Sequence, residues 1–411
     1  MPAAGKKTVE DVDLQDCRVL VRVDFNVPTT GPVSSATPGS RRISDDSRIR
    51  AALPTIEYLR DRGCRVMLCS HMGRPGGEVD PELRLTPVRE RLSELLGVEV
   101  MDGRGPAGKV PMLVVESMKP GDVALLENLR FNKREETNDP GFARKLASLG
   151  DVFVNDAFGA AHRAHASTVG VAENMPAVAG LLMARELEML AACLENPVRP
   201  VVAVIGGAKV SDKIAVLRHL ASRVDTVLIG GGMVKTFLAA AGHVDADPSD
   251  FDEIEVARSL LKDSQARILT PTDVITAMEF REGAEPSTVS VSAISDGALV
   301  LDIGPESAAA FAGEIAGAKT IIWNGPMGVF EWSAFASGTT AVAEAIAAND
   351  DCVSVVGGGS TAAAVGELGL RDRITHVSTG GGASLEYLEG KTLPGVAALL
   401  DVTEPADRPG D

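Results

Sequence analysis

The second half of the chain repeats one pattern, in which apolar residues run directly into glycine. Five such runs occur: VVAVIGGAKV at 201, TVLIGGGM at 226, TIIWNGPMG at 320, CVSVVGGGST at 352 and HVSTGGGAS at 376. Alanine-rich stretches with helical spacing lie between them. Near-continuous apolar strands that alternate with helices are typical of a parallel sheet covered on both faces. The pattern therefore predicts that these glycine turns meet at the carboxyl edge of one sheet.

The first half has the same apolar runs, but polar residues follow them. The runs are RVLVRVDFNVP at 18, RVMLCSHMGRP at 65, VALLENLRF at 123 and DVFVNDAFGAAHRAH at 151. Just past their apolar cores stand Asp24, Asn26, His71, Arg74, Arg130 and Arg163. A parallel sheet would gather these side chains into a cationic pocket suited to a small phosphorylated carboxylate, because guanidinium groups bind both anions in bidentate fashion. Each arginine taken singly is also compatible with a solvated surface residue or a helix-end partner.

The length and the strand pattern predict an α/β protein with two doubly wound parallel-sheet (Rossmann-like) domains, because 411 residues exceed one typical domain. We expect an N-terminal domain at 1–176, a connector helix at 177–195 and a C-terminal domain at 196–390. The helical spacing and few breakers of LLMARELEMLAACLEN predict the connector. Residues 391–411 should return toward the N-terminal domain and end in a tail frayed beyond Val402.

Charge and composition narrow the possible partners and the compartment. The formal net charge of −17 argues against general binding to nucleic acid or to a membrane surface. No signal-like core and no membrane-length apolar run occurs, so we expect a cytoplasmic protein, and we expect a monomer. Five scattered cysteines without a C-x-x-C pair indicate buried thiols rather than disulfides or a zinc site.

The stretch VVGGGSTAAAV, residues 355–365, predicts a strand, a tight turn and the first turn of a helix. The free N–H groups of such a turn bind anions, and phosphate is the obvious candidate. A Walker-type loop would place Lys after its last glycine, and this stretch has none. Lys209 and Lys213 of GGAKVSDKI are candidates for the missing charge, although both are also compatible with solvated first-turn residues.

An arginine-rich half and a glycine-rich, nucleotide-like half indicate a protein that brings two anions together. Phosphoryl transfer is the reaction class that fits, because it requires positioning and charge neutralisation more than a nucleophilic side chain. Arg48, at the start of the helical stretch RIRAALPTIEYL, and the two lysines are candidates to contact the moving group.

Seven motifs in this order resemble the phosphoglycerate kinase family along nearly the whole chain: VRVDFNVP, SHMGRP, LLENLRF, NDAFGAAHRAHAS, GGAKVSDKI, WNGPMGVFE and STGGGAS. The resemblance implies two doubly wound domains joined by a helix. It also implies reversible phosphoryl transfer between 1,3-bisphosphoglycerate plus ADP and 3-phosphoglycerate plus ATP, with Mg²⁺, in glycolysis and gluconeogenesis. Domain closure would bring the two ligands together, with hinges after Gly180 and near WNGPMG.

The same resemblance assigns roles motif by motif. The phosphoglycerate would be held by Asp24, Asn26, Arg48, His71, Arg74, Arg130 and Arg163. The nucleotide would be held by Lys209, Lys213, Glu331, Gly357, Gly358, Gly359, Ser360, Thr361, Thr379, Gly381 and Gly382, with Glu331 on the ribose. The catalytic groups would be Arg48, Lys209, Gly358 and Gly381. A metal pair of His162 and His165 in HRAH is not favoured, because no third ligand is near in sequence.

The chain departs from the family pattern at two places. Ser360 stands where the family has Asp, so the ligand that places Mg²⁺ is unknown, and either Asp212 or nucleotide oxygens and water could serve. The stretch at 29–46 is also longer than usual, so that Arg41, Arg42 and Arg48 compete for one role. We choose Arg48 because a helix-start signal, Ser-Asp-Asp at 44–46, precedes it.

Two other functions are compatible with parts of the sequence. A Rossmann-type dehydrogenase would need G-x-G-x-x-G after a strand with an acidic residue at the right distance, and none occurs. A catalytically lapsed kinase homologue, substituted at Ser360, could act as a ligand-binding scaffold. Measured turnover separates the kinase from the scaffold.

Overall fold

The strands lie where the apolar runs predict them. A computed structural model describes residues 5–31, 41–244 and 250–403. The described chain forms two units, the first from residues 5–188 with 392–403 and the second from residues 189–391. The division falls inside a helix that occupies most of the predicted connector, Leu181–Leu194. The predicted domain limits at 176, 195 and 390 stay predictions.

The first unit is built on one parallel sheet. Its elements, in chain order, are β1 (Arg18–Arg22), β2 (Thr29–Thr30), β3 (Arg42–Ile43), α1 (Ser47–Asp61), β4 (Arg65–Cys69), α2 (Thr86–Leu96), β5 (Val100–Asp102), α3 (Lys109–Ser117), β6 (Val123–Leu125), α4 (Pro140–Ala147), β7 (Val152–Asn155), β8 (Ala177–Ala179) and α5 (Leu181–Leu194). The sheet order is β5-β6-β4-β1-β7-β8, and each neighbouring pair is parallel. The segments β2 and β3 form a separate antiparallel ribbon.

Burial explains why these segments adopt their structure. Four of the five residues of β1 and of β4 are buried, as expected for strands covered on both faces. Helix α1 buries Ile49, Ala52, Ile56 and Leu59 along one face at helical spacing. This face packs into the same apolar core as Val19, Val21 and Val66 of the sheet. The helix is therefore fixed beside the sheet, which positions its first turn near the strand ends.

The second unit contains a parallel sheet and a smaller antiparallel one. Its elements are β9 (Val201–Ile205), α6 (Ile214–Ala221), β10 (Thr226–Ile229), α7 (Val234–Ala241), α8 (Phe251–Asp263), β11 (Arg267–Leu269), β12 (Asp273–Ala277), β13 (Ser287–Ser290), β14 (Leu299–Ile303), α9 (Pro305–Gly317), β15 (Thr320–Asn324), α10 (Ser337–Ala348), β16 (Val353–Gly357), α11 (Gly359–Glu367), β17 (His376–Val377) and α12 (Gly382–Leu388). The parallel sheet has the order β11-β10-β9-β15-β16-β17. Its core contains the fully buried Trp323.

The predicted fold class is confirmed, with one addition. Both large sheets are parallel and alternate with helices along the chain, as the apolar runs predict. The antiparallel sheet β13-β12-β14 was not predicted. Strand β13 explains the omission, because three of its four residues are exposed and it has no apolar run to detect.

The chain end packs on the first unit. After helix α13 (Pro394–Ala397), the Leu400 carbonyl accepts a hydrogen bond of 2.8 Å from the Lys7 N–H. Asn155 Nδ2 donates to the Gly395 carbonyl at 3.1 Å. The predicted frayed tail lies, from residue 404 onward, outside the described residues, as do residues 32–40 of the long 29–46 stretch.

Burial governs the ionisation of the cysteines, and length and polarity limit the helices. All five cysteines are free, three are buried and two are half-buried. Burial raises the pKa of the Cys64, Cys69 and Cys193 thiols to about 12. Over residues 5–31, 41–244 and 250–403, every helix is too short or too polar to cross a bilayer.

Candidate active site

The polar residues predicted for the first unit lie at one edge of its sheet. Strands β6, β4, β1 and β7 are consecutive neighbours, and all run in the same direction. Their carboxyl ends lead into the turns that carry Arg130, His71 with Arg74, Asp24 with Asn26, and Arg163, respectively. The topology thus brings these residues to a common edge, which we call the arginine edge.

Arg48 is held against two other members of the arginine edge. Its Nη1 donates to Asp24 Oδ2 at 3.0 Å and to the Asn26 carbonyl at 3.1 Å. Asn26 Oδ1 accepts a hydrogen bond of 3.0 Å from the Gly73 N–H, which joins the turns after β1 and β4. Arg48 reaches this position because the next residue, Ile49, is fully buried and fixes the first turn of α1.

The two arginines that compete with Arg48 lie elsewhere. Arg41 donates to the Thr29 carbonyl at 3.2 Å and lies 3.4 Å from Glu82 Oε2. Arg42 is exposed on β3. Both line a surface cleft of 760 Å³, in which Arg91 pairs with Asp46 at 2.8 Å. This cleft is lined by side chains of opposite charge and contains none of the predicted site residues.

Arg130 is buried at the arginine edge, whereas Arg74 and Arg163 are exposed. Arg130 Nη1 donates to the Gly73 carbonyl at 2.7 Å, and its Nε lies 3.2 Å from Glu136 Oε1. Burial lowers the pKa of the Arg130 guanidinium below its ordinary value. Within the described residues, the side chains of Arg74 and Arg163 have no hydrogen-bond or ion-pair partner, so both cations are available to an anionic ligand.

Both buried histidines at this edge are neutral. Burial, followed by the charges of Arg22, Arg130 and Arg48, holds the pKa of His71 well below 6.5. Burial and three arginines lower the pKa of His165 to about 4. Over the described residues, no cluster of three or more His, Cys, Asp or Glu side chains could hold a metal ion, so His162 and His165 do not form part of one.

The turns of the second unit pack backbone against backbone at the carboxyl edge of its sheet, which we call the glycine edge. A Cβ added at Gly206 would lie 1.9 Å from the Pro326 carbonyl oxygen. A Cβ added at Gly231, whose φ is +71°, would lie 2.6 Å from the Gly207 carbonyl oxygen. Only glycine fits this close approach, which brings the ends of β9, β10 and β15 together.

The predicted glycines of the last two turns lie at helix starts. Gly358, with φ of +93°, precedes α11, which begins at Gly359 and includes Ser360. Gly381, with φ of +49°, precedes α12, which begins at Gly382, and Thr379 is half-buried two residues earlier. The Thr361 hydroxyl is buried and accepts a hydrogen bond of 2.8 Å from the Gly325 N–H. Thr361 therefore joins two turns of the glycine edge.

The two predicted lysines differ in their surroundings. Lys213 precedes α6, is half-buried, and donates from Nζ to Asn324 Oδ1. Burial lowers the pKa of Lys213 below 10.5, while the neighbouring Asp212 raises it. Lys209 is exposed, and its side chain has no hydrogen-bond or ion-pair partner among the residues described. An anion bound at this edge would supply the counter-charge that the ammonium groups of Lys209 and Lys213 lack.

A cleft of 520 Å³ opens on the glycine edge. Its backbone wall includes Gly207 and Gly231, and its apolar wall includes Phe280 and Leu301. Its polar side chains are Lys235, Glu331 and Ser360. An apolar wall beside a few placed polar groups is the usual form of a site for a small molecule or a cofactor.

Sequence reasoning missed several residues of these two edges. Leu301 belongs to β14 of the unpredicted antiparallel sheet and Phe280 follows β12 of the same sheet, so no pattern indicated them. The sequence patterns assigned no role to Lys235, which lies in α7, or to Asn324, which ends β15. Arg22 could have been recognised from the sequence, because it is a charged residue inside an apolar strand. In the structure Arg22 is only 1% exposed.

Comparison with known proteins gives the family of the chain. The family model described as phosphoglycerate kinase matches residues 9–391. The chain is 54% identical over 401 residues to a phosphoglycerate kinase of Moorella thermoacetica, covering 97% of this chain and 100% of that protein. It is 53% identical over 404 residues to one of Dictyoglomus turgidum, with the same coverage.

Solved structures agree as well. The phosphoglycerate kinase of Coxiella burnetii superposes with a TM-score of 0.84 at 39% identity, covering 96% of this chain and 98% of that one. The enzyme of Pyrococcus horikoshii gives a TM-score of 0.81 at 33% identity, with 96% and 98% covered. The chain belongs to the phosphoglycerate kinase family.

Proposed function

We propose that this protein is a phosphoglycerate kinase, which catalyses reversible phosphoryl transfer between 1,3-bisphosphoglycerate and ADP to give 3-phosphoglycerate and ATP. The observation that carries the proposal is the arginine edge, where Arg48 and Arg130 are fixed and Arg74 and Arg163 are without partners. Four guanidinium groups at one sheet edge suit a ligand with a phosphate and a carboxylate. Membership of the phosphoglycerate kinase family supports phosphoglycerate as this ligand.

In the first unit, the roles divide between positioning and charge. Asp24 and Asn26 hold Arg48, and Asn26 ties this turn to Gly73. Arg74, Arg130 and Arg163 bind the anionic groups of the phosphoglycerate. His71, which is neutral, donates a hydrogen bond rather than a charge. Arg48 stabilises the phosphoryl group as it moves, which is the role that a preorganised cation performs best.

In the second unit, the cleft on the glycine edge binds the nucleotide. Phe280 and Leu301 contact the base, and Glu331 accepts a hydrogen bond from the ribose. Backbone groups at Gly357, Gly358, Gly359, Gly381 and Gly382 receive the phosphates, as helix starts do. Lys209 and Lys213 neutralise phosphate charge, and Lys209, Gly358 and Gly381 contact the transferring group. The hydroxyls of Thr361 and Thr379 complete the nucleotide site, and Thr361 also joins two turns through the Gly325 N–H.

The residues fit a Mg²⁺ that arrives with the nucleotide. Ser360 is exposed in the first turn of α11 and offers a hydroxyl, and Asp212, beside Lys213, offers a carboxylate. Mg²⁺ commonly keeps several waters and is held by one or two protein groups plus phosphate oxygens. When bound, the ion would neutralise phosphate charge and fix the polyphosphate conformation.

Other properties remain sequence predictions that we carry into the proposal: a monomeric cytoplasmic protein without nucleic-acid or membrane partners, and closure of the predicted domains on both ligands. Closure would exclude water from the reaction. Small-angle scattering with and without both ligands tests it. An unchanged radius of gyration on adding both ligands would count against closure.

The test of the function is ATP-dependent phosphorylation of 3-phosphoglycerate, coupled to NADH oxidation and titrated with Mg²⁺ at low and high salt. We expect turnover, since relatives over 50% identical are named phosphoglycerate kinase, which disfavours the lapsed scaffold. A folded protein that binds 3-phosphoglycerate but shows no turnover under any of these conditions would restore the scaffold alternative.

A further inference from the structure

Arg22 is a buried cation at the arginine edge that the proposed function leaves without a role. It is the last residue of β1 and only 1% exposed. Removing a charged side chain from water costs free energy, and this cost is offset only when its hydrogen-bond donors meet acceptors. Its guanidinium contacts three acceptors: Ser167 Oγ at 2.9 Å from Nε, the Val23 carbonyl at 2.5 Å from Nη1, and His71 Nδ1 at 3.1 Å from Nη2.

Arg22 is itself linked to the buried carboxylate of Glu135 through Ser167. Ser167 Oγ, which accepts from Arg22, donates to Glu135 Oε1 at 2.5 Å. The Ser167 N–H donates to Glu135 Oε2 at 3.1 Å. Glu135 and Ser167 are both 0% exposed. A chain of hydrogen bonds therefore runs from Glu135 through Ser167 and Arg22 to the ring of His71.

The contact between Arg22 and His71 determines which ring nitrogen carries the proton. A guanidinium has only donors, so His71 Nδ1 must be the acceptor in this contact. A neutral imidazole that accepts at Nδ1 carries its proton on Nε2. The ring then has one N–H left to donate, and this N–H is the group available to an oxygen of the bound phosphoglycerate.

The charges around the ring favour the same state. Arg22 and Asp24 come from the end of β1, Arg48 from α1, Arg130 from the turn after β6, and His165 from the turn after β7. Three of these groups are cations, and Asp24 Oδ1 lies 4.0 Å from His71 Nδ1. Burial and the arginines keep the pKa of His71 low, so the imidazolium does not form in the physiological range.

We propose that Arg22 is a positioning residue that holds His71 as the neutral tautomer with its proton on Nε2, so that the ring donates to an oxygen of the phosphoglycerate. This inference rests on the proposed function for the identity of that ligand. The tautomer itself is a property of the free protein. Arg22 acts through His71, and Ser167 with Glu135 fixes the Arg22 guanidinium.

The test is nitrogen NMR of the histidine rings in protein labelled with ¹⁵N-histidine, without any ligand. The chain has six histidines, and the His71→Gln variant identifies the His71 signals. We expect an unprotonated Nδ1 and a protonated Nε2 that stay constant between pH 5 and pH 8. A proton on Nδ1, or protonation of the ring within this range, would overturn the inference even in a protein that turns over normally.

Two variants test the role of Arg22 itself. Arg22→Lys keeps the charge but loses the forked geometry, and Ser167→Ala releases the guanidinium from Glu135 while leaving Arg22 in place. Either should allow mixed tautomers and raise KM for 3-phosphoglycerate by about tenfold, with a smaller change in kcat; tenfold is the lower end of the loss seen when a group that orients a metal-binding histidine is removed. The NMR signals of Ser167→Ala remain informative if Arg22→Lys fails to fold.

The matched control is Arg18→Lys on the same strand. Arg18 is half-exposed and pairs with Asp151 at 2.5 Å, away from His71. Its replacement should leave both the His71 tautomer and KM unchanged. If Arg18→Lys and Ser167→Ala shift KM equally, or if Ser167→Ala leaves the His71 signals and KM unchanged, Arg22 has only a structural role.

Discussion

The arginine edge and the glycine edge occupy equivalent places on two parallel sheets but are built differently. At the arginine edge, two of the four arginines are fixed before a ligand binds, Arg48 by the Asp24 carboxylate and Arg130 by the Gly73 carbonyl. At the glycine edge, the shape comes from backbone contacts, and within the part of the chain that the structure describes the exposed side chains of Lys209, Glu331 and Ser360 have no hydrogen-bond or ion-pair partner. The first site therefore has cations fixed in place before a ligand binds, whereas the second offers a fixed backbone shape and exposed polar side chains that a ligand would fix.

Removing the fixed cation should have the largest effect. We expect Arg48→Ala to lower turnover about a hundredfold or more, which is about 3 kcal/mol of transition-state stabilisation, with little change in the free energy of unfolding. The measurement is kcat in the coupled assay, beside thermal unfolding.

Arg42→Ala is the matched control, because Arg42 is an exposed arginine on β3 away from Asp24. Its turnover should stay within about twofold of the parent, on the scale of surface substitutions. If Arg42→Ala loses more turnover than Arg48→Ala, the assignment of Arg48 is wrong.

Filling the closest backbone contact should break the glycine edge through shape alone. In Gly206→Ala, the new methyl would lie 1.9 Å from the Pro326 carbonyl oxygen, so the turns after β9 and β15 must separate. We expect a loss of about 3 kcal/mol in the free energy of unfolding of the second unit, at the upper end for overpacking. Urea unfolding followed by Trp fluorescence measures it, because Trp323 lies in this core.

Gly366→Ala serves as the control, since its added Cβ has 3.7 Å to the nearest atom, Arg371 Nη2. Within helix α11 it should be neutral or stabilising by up to about 1 kcal/mol. Equal destabilisation by the two variants would show that close packing of the turns is not what gives this edge its shape.

Behind the glycine edge, one buried carboxylate should make stability depend on pH. Asp302 accepts hydrogen bonds from the N–H groups of Ile303 and Gly338, and burial raises its pKa to about 7. The folded state binds a proton that the unfolded state lacks between about pH 4 and pH 7, so this contribution to the free energy of unfolding falls as pH rises through that window. Asp302→Asn should remove about 2 kcal/mol of the difference between pH 5 and pH 8.

Urea unfolding of the parent and the variant at both pH values gives this difference directly. The comparison between variants cancels the contribution of Asp156 in the first unit, whose pKa burial raises to about 6. A parent and an Asp302→Asn variant with parallel pH profiles would show that Asp302 does not titrate in this range.

Adding a carboxylate to the glycine edge should have the smallest effect. Ser360→Asp places a carboxylate in the first turn of α11, beside the cleft, where it can hold a Mg²⁺ carried by the nucleotide. We expect a lower Mg²⁺ midpoint in the coupled assay, worth about 1 kcal/mol or less because the site is exposed. An unchanged Mg²⁺ dependence would contradict the idea that Ser360 limits metal placement.

The sequence predicts the edges better than it predicts the contacts within them. The apolar runs correctly place both parallel sheets, because strand period and glycine turns are local properties. The helix-start signal before Arg48 selects the arginine that the structure holds against Asp24, among three candidates. These are the features that neighbouring residues determine.

The missed features all depend on distant parts of the chain. Arg22 faces Ser167 and His71, which are 145 and 49 residues away. Lys213 meets Asn324 at a separation of 111 residues. The apolar wall of the cleft involves Leu301 of an antiparallel sheet whose outer strand is largely exposed. Pairings of this kind follow from the folded topology, and no local pattern specifies them.

The contrast between a fixed and a ligand-completed site is tested most directly by calorimetric titration of 3-phosphoglycerate and of ADP into the same protein, each with Mg²⁺ and with EDTA. We predict that the dissociation constant of 3-phosphoglycerate is the same in both buffers, because the arginine edge carries its own charge. The dissociation constant of ADP should be lower with Mg²⁺. Equal sensitivity of the two dissociation constants to Mg²⁺ would contradict the account.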